Sequence, residues 1–142
     1  MTQEQMDKLN ALVGIPCVHG NNDANGMSCF AMIYQAMKVF RGNDADKIPM
    51  EYLKLAEQWY KYQPNLIWDE TLKIADEITD IDDLRESDVV MFSMFGDGVI
   101  THMGVMVDNY RFIHALINTN SKISKIKSRF WKEKLVKMAR MR

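Results

Sequence analysis

The chain has 142 residues, 47% of them hydrophobic and 26% charged, with a formal net charge of −1. That composition fits one folded domain over residues 1–142 and excludes both a disordered chain and a strongly basic nucleic-acid binder. No run of eighteen apolar residues and no basic-then-apolar start occurs, so neither a membrane span nor a signal peptide is expected, and synthesis in a cytoplasm is.

In chain order, Thr2 and Gln5 form a capping-box pattern ahead of Met6, Leu9, Leu12 and Val13 at helical spacing. Gly14 and Pro16 stop that first helix. A loop rich in Gly, Asn and Asp runs from Cys17 to Ser28 and favours tight turns. From Cys29 to Phe40 the pattern is apolar on nearly every side, as expected for a central helix. Pro49 opens an amphipathic stretch carrying Tyr52, Leu55, Ala56, Trp59 and Tyr60, read as a core-facing stripe. Asp69 is expected to cap a short helix with Leu72, Ala75 and Ile78. The carboxylates from Asp80 to Asp88 lack the glycine and spacing of a calcium loop and read as a solvated turn.

Beyond Asp88 the period becomes strand-like. Val89 to Met94 reads as a buried strand, Val99 to Val107 and Tyr110 to Ile117 as a hairpin, Lys122 to Lys127 as a mixed basic and apolar run, and Leu135 to Met141 as a last strand after a turn near Trp131. Helices first and antiparallel strands second predict an α+β fold. Charge is uneven: nine of the eighteen Lys and Arg residues fall between Lys122 and Arg142, while Asp69 to Asp88 is acidic. The basic part reads as a solvated face of the last strands, with contact to an anionic polymer or a partner protein as the other reading.

Two cysteines, Cys17 and Cys29, are too few for a disulfide scaffold. Cys29 stands where the loop gives way to the central helix. Unpaired N–H groups and the helix dipole at such a position favour a thiolate, and so a nucleophile at neutral pH. A nucleophilic cysteine needs a base and an orienting group, and His102 and His114 lie in the two hairpin strands. With Asp108 and Asn109 as a two-residue loop, however, His102 opposes Ala115 and the histidines turn to opposite faces. A bulge or a different loop length would bring them together.

Five segments in order resemble those of NlpC-type, papain-like cysteine peptidases that cut bacterial cell-wall peptides. They are Gly14 to Gly20, Gly26-Met27-Ser28-Cys29, Ser87 to Phe92, His102-Met103-Gly104-Val105, and Arg111-Phe112-Ile113-His114-Ala115. The resemblance implies a papain-like fold, N-terminal helices packed on a C-terminal antiparallel sheet. It implies that Cys29 is the nucleophile, His102 the general base and acid, and His114 the orienting residue, with the backbone N–H of Cys29 as oxyanion donor. It places Cys17, His19 and Ser28 on the substrate side. Cys17 stands where the family usually has tyrosine, Ser28 where it has aspartate, and Phe30-Ala31 where it has Ser-Gly.

The implied substrate is the peptidoglycan stem peptide, cut between D-glutamate and the diamino acid. Similarity to short phage-type members implies a tail or lysis setting, with a virion-associated location and phage tail proteins as partners. No cofactor, metal, nucleic acid or membrane is called for. A Cys17–Cys29 disulfide, or zinc held by these thiols with His19, His102 and His114, is the chemical alternative at the site. The functional alternative is a structural or binding protein of a phage tail that keeps the fold without cutting.

Overall fold

The structure, a computed structural model, describes residues 1–49 and 64–142. The aromatic stripe expected from Tyr52 to Tyr60 lies outside the described residues. Helix α1 (Gln3–Ala11) begins as its sequence predicts. The Thr2 hydroxyl accepts from the Gln5 N–H, and the Gln5 side chain accepts from the Thr2 N–H. Strands β1 (Asn22–Asp23) and β2 (Gly26–Met27) form a small hairpin, its turn held by the Asp23 carboxylate accepting from the N–H groups of Asn25 and Gly26.

Helix α2 (Cys29–Arg41) follows at once. Ser28 caps it by accepting from the Ala31 N–H at 3.2 Å, an interaction that contributes about 1 kcal/mol. Gly42, with φ of +57°, supplies the left-handed backbone that ends the helix. A 3₁₀ turn (Gly42–Lys47) leads away, and α3 (Leu66–Thr71) comes next among the described elements.

The helix expected behind Asp69 is corrected. Asp69 does not cap a helix: α3 starts three residues earlier, with Asn65 at its N-cap, and Ala75–Ile78 is strand β3. Ala75 and Ile78 are spaced like a helical face, but the segment lies along the C-terminal strand, which satisfies its backbone groups. Tertiary pairing overrode a weak local pattern.

Strands β4 (Val89–Phe92), β5 (His102–Met106), β6 (Arg111–His114) and β7 (Lys122–Lys125), helix α4 (Arg129–Lys134) and strand β8 (Leu135–Met141) complete the chain. The six-stranded sheet has the order β3-β8-β4-β5-β6-β7, every pair antiparallel. Side chains alternate across it. Met91, Met103, Val105, Ile113 and Ala115 join Phe30, Ile33 and Met37 of α2 in one core cluster. Val90, Phe92, Met106 and Phe112 join Ile126 and Trp131 in a second.

The uneven charge is partly resolved by pairing between the basic and acidic segments. Lys137 meets Glu77, Arg142 meets Asp76, and Lys127 meets Asp82. Asp88, read from sequence as part of a solvated turn, is instead buried, its carboxylate gripped by Arg140 at 2.9 and 2.8 Å and by the Arg85 N–H at 2.9 Å. The apolar strand that starts at Val89 carries it inside. Among the described residues no helix is long and apolar enough to cross a membrane.

Candidate active site

The β5–β6 hairpin decides where the histidines point. Val105 opposes Ile113 and Met106 opposes Phe112, and the Val107 N–H donates to the Arg111 carbonyl. The loop is therefore three residues, Asp108 to Tyr110, rather than two. Asp108 enforces this: its carboxylate accepts from the N–H groups of Tyr110 and Arg111 and from the Arg111 guanidinium. One extra loop residue shifts the register by one and turns His102 and His114 to the same face.

The two rings meet there, His102 Nε2 and His114 Nδ1 lying 2.8 Å apart. The chain continues to β7, where His114 Nε2 is 2.8 Å from the Ser124 hydroxyl. Aromatic rings wall it in. Trp131 lies edge-on to His114 at 4.8 Å and tilted against His102 at 5.6 Å, Phe92 flanks His102, and Phe112 flanks His114 at 4.5 Å. Gly104 permits this packing, because a Cβ there would come within 2.6 Å of the Phe112 ring.

Both histidines are almost fully buried, and burial removes the water that would solvate an imidazolium. His102 is pushed down from 6.5 to about 3, by desolvation first and the Lys122 ammonium second. His114 falls to about 2, by desolvation, then by charge on His102 and on Lys122. At neutral pH the pair is uncharged, so their hydrogen bond joins two neutral rings.

Cys29, the first residue of α2, is half-buried. The N–H groups of Phe30 and Cys29 itself do point at its sulfur and favour the thiolate, as a helix start should. They are outweighed. Desolvation, with the neighbouring Cys17 second, pushes the thiol up from 9.0 to about 12. The thiolate expected at neutral pH is thus corrected to a resting thiol: two backbone dipoles do not replace the water lost around sulfur. Among the described residues no hydrogen bond joins this thiol to either histidine. The ring bond leaves His102 Nδ1 without a hydrogen-bond partner among the described residues.

Backbone pairing ties the thiol side to the imidazole side. The Met27 N–H donates to the Pro16 carbonyl at 2.9 Å, two residues before Cys29. Pro16 bridges to Asn120, the Cys17 N–H donates to the Thr119 carbonyl, and Ile15 pairs with Ser121 through backbone and hydroxyl. Residues 119–121 are the link from His114 to Ser124. One short segment therefore holds Cys17 near Cys29 and anchors both to the strands carrying the imidazole chain.

Of the residues expected on the substrate side, Cys17 is half-buried, its thiol also pushed up by burial, and His19 is exposed on the loop before β1. Ser28 is buried with its hydroxyl spent on capping α2. Both cysteines are free thiols. Among the described residues no three His, Cys, Asp or Glu side chains converge as a metal site. No motif in the sequence marks Ser124 or Trp131 as part of the site. Alternation along β7, which puts Ser124 on the face of Phe112 and His114, is the signal that would have found the first.

A cysteine-led helix packed beside an antiparallel sheet that carries a hydrogen-bonded histidine pair defines an α+β domain of the papain-like class. The sequence pattern of the NlpC/P60 family matches residues 14–140, and the chain belongs to that family. Its fold is similar to that of an NLP/P60-family protein from Staphylococcus aureus, described as similar to lipoprotein, at 18% identity with a TM-score of 0.58 over 99% of this chain and 42% of that one. An NlpC/P60-family protein from Bacillus cereus is similar at 16% identity, TM-score 0.60, over 99% of this chain and 41% of that one. The chain thus spans about two fifths of the length of these relatives, and the likeness shows the fold alone. A comparison with curated proteins found no match.

Proposed function

We propose that the protein is a thiol peptidase of bacterial cell-wall peptides, with Cys29 as nucleophile, His102 as base and acid, and His114 as orienting residue. The single observation that carries this is the 2.8 Å contact between His102 Nε2 and His114 Nδ1, which leaves one imidazole nitrogen free and fixes the direction in which it faces. Membership of a family that is in general one of cysteine peptidases supports it.

Because the resting thiol is protonated and the imidazole neutral, the attack begins from uncharged partners. Binding of a peptide carbonyl brings the thiol to His102 Nδ1, which takes its proton as the sulfur bonds to the carbonyl carbon. The backbone N–H of Cys29 stabilises the oxyanion. His102 then returns the proton to the departing amine as the C–N bond breaks. Water, deprotonated by the same ring, releases the acid product from the thioester and restores the thiol.

The bond between D-glutamate and the diamino acid is the proposed target, with Cys17, His19 and Ser28 on the substrate side. The phage tail or lysis setting rests on the resemblance to short phage-type members alone. A second reading, a non-catalytic structural or binding protein of the tail, is favoured by the high thiol pKa and the missing thiol–imidazole hydrogen bond. Muropeptide release from purified peptidoglycan separates the two. The peptidase reading expects release by the native chain and none by Cys29→Ala. No release by either, with Cys29 inert to iodoacetamide even in the presence of stem peptide, gives the second.

A further inference from the structure

We propose that Ser124 is a positioning residue that fixes the tautomer of His114 and, through it, the nitrogen on which His102 carries its proton. The proposal rests on the peptidase reading for its effect on turnover, and on geometry for the rest. Two hydrogen bonds in series, His102 Nε2 to His114 Nδ1 and His114 Nε2 to Ser124 Oγ, each 2.8 Å, join two neutral rings and a hydroxyl.

Each bond needs one donor and one acceptor, and a neutral imidazole supplies one of each. Only two arrangements satisfy the whole chain. In the first, His102 Nε2–H donates to His114 Nδ1, and His114 Nε2–H donates to the serine oxygen. His102 Nδ1 is then a bare lone pair, ready to accept the thiol proton. In the second, the serine O–H donates to His114 Nε2, His114 Nδ1–H donates to His102 Nε2, and His102 already carries its proton on Nδ1, where it cannot act as a base. Reversing the serine bond therefore turns the base off two residues away.

The surroundings favour the first arrangement. Among the described residues the hydroxyl of Ser124 has no hydrogen bond except the one to His114. The residue opposite His114 on β7 is Lys122, a donor that cannot accept the His114 N–H. In the second arrangement His102 Nδ1 would carry a proton with no hydrogen-bond partner among the described residues, and an unpartnered donor on a buried ring is costly, so the first arrangement is preferred and Ser124 is the acceptor for the His114 Nε2–H. Its place on the strand suits that role, because it opposes Phe112 and lies diagonally from His114 on the same face.

Ser124→Thr and Ser124→Val make the test, because they share shape and strand preference and differ in one hydroxyl. The full chain is labelled with ¹⁵N, and the ring nitrogens of His102 and His114 are read by NMR, which reports the protonated nitrogen directly. The native chain and Ser124→Thr should both show Nε2–H on both rings, and Ser124→Val should lose that pattern at His114. On purified peptidoglycan, kcat should fall about tenfold in Ser124→Val with KM unchanged and recover in Ser124→Thr. An Nδ1–H on His114 in the native chain overturns the proposal, as does a Ser124→Val variant with native kcat. If the native chain cuts no wall peptide, the peptidase reading falls, while the tautomers of the Thr and Val variants still decide the role of Ser124.

Discussion

The thiol and the imidazole chain are built by opposite means. Cys29 is placed locally, by a capped helix start two residues after a tiny hairpin, and its sulfur is served by backbone N–H groups. His102 and His114 are placed by long-range pairing of three strands and locked by ring packing and two 2.8 Å hydrogen bonds. Both ends arrive at the same electrical state, uncharged at neutral pH, because burial outweighs whatever each end supplies to stabilise charge. The difference lies in what holds each end in place. The imidazole end is fixed by side-chain packing and hydrogen bonds, and the thiol end by backbone bonds and a helix cap.

Removing either end is the severest way to break the comparison. His102→Ala should lower kcat/KM by about 10⁴-fold or more, and the double variant with Cys29→Ala should add almost nothing, since residues that act as a unit are not additive. Additive losses in peptidoglycan turnover would mean that the two ends do not work together. Next comes the wall of the imidazole end. Trp131 is buried against both histidines, so Trp131→Ala should cost about 3 kcal/mol in urea unfolding. It should also rehydrate the rings and raise the pKa of His102 in NMR titration.

The uncharged state itself is testable through stability. A histidine whose pKa is depressed on folding contributes stability that is present above 6.5 and is lost as pH falls toward about 3. A thiol whose pKa is raised contributes stability that is present below 9.0 and is lost as pH climbs toward about 12. The melting temperature should therefore plateau between pH 6.5 and 9 and fall on both sides. His102→Phe should flatten the acid limb, and Cys29→Ala the alkaline one. Smallest is the contribution of Cys17, whose charge raises the pKa of Cys29 after desolvation has done so. Cys17→Ser should speed iodoacetamide alkylation of Cys29 at about pH 9 by about threefold or less. A slower reaction would show that Cys17 aids the thiol instead.

What was legible in the sequence followed from local chemistry. Thr2 and Gln5 announced α1, the loop-to-helix switch announced Cys29 at a helix start, and alternation announced the strands that carry the histidines. The failures have two causes, a distant partner and a local turn that was not recognised. Ala75 and Ile78 look helical until β8 pairs with them, Asp88 looks solvated until Arg140 reaches it, and the hairpin looks like a two-residue turn until the Asp108 carboxylate claims two N–H groups. The first two depend on partners that a window of neighbouring residues does not contain, whereas the third is a local turn whose N–H groups lie two and three residues from Asp108.

The sequence by itself therefore determined the α+β order of elements, the helix that begins at Cys29, and the candidates His102 and His114, because capping, periodicity and composition act over a few residues. Only the tertiary structure decided that the histidines share a face, that Ser124 ends their hydrogen-bond chain, and that the thiol rests uncharged. Register, burial and the loss of water are properties of segments brought together from far apart in the chain, and no local pattern encodes how completely they exclude solvent.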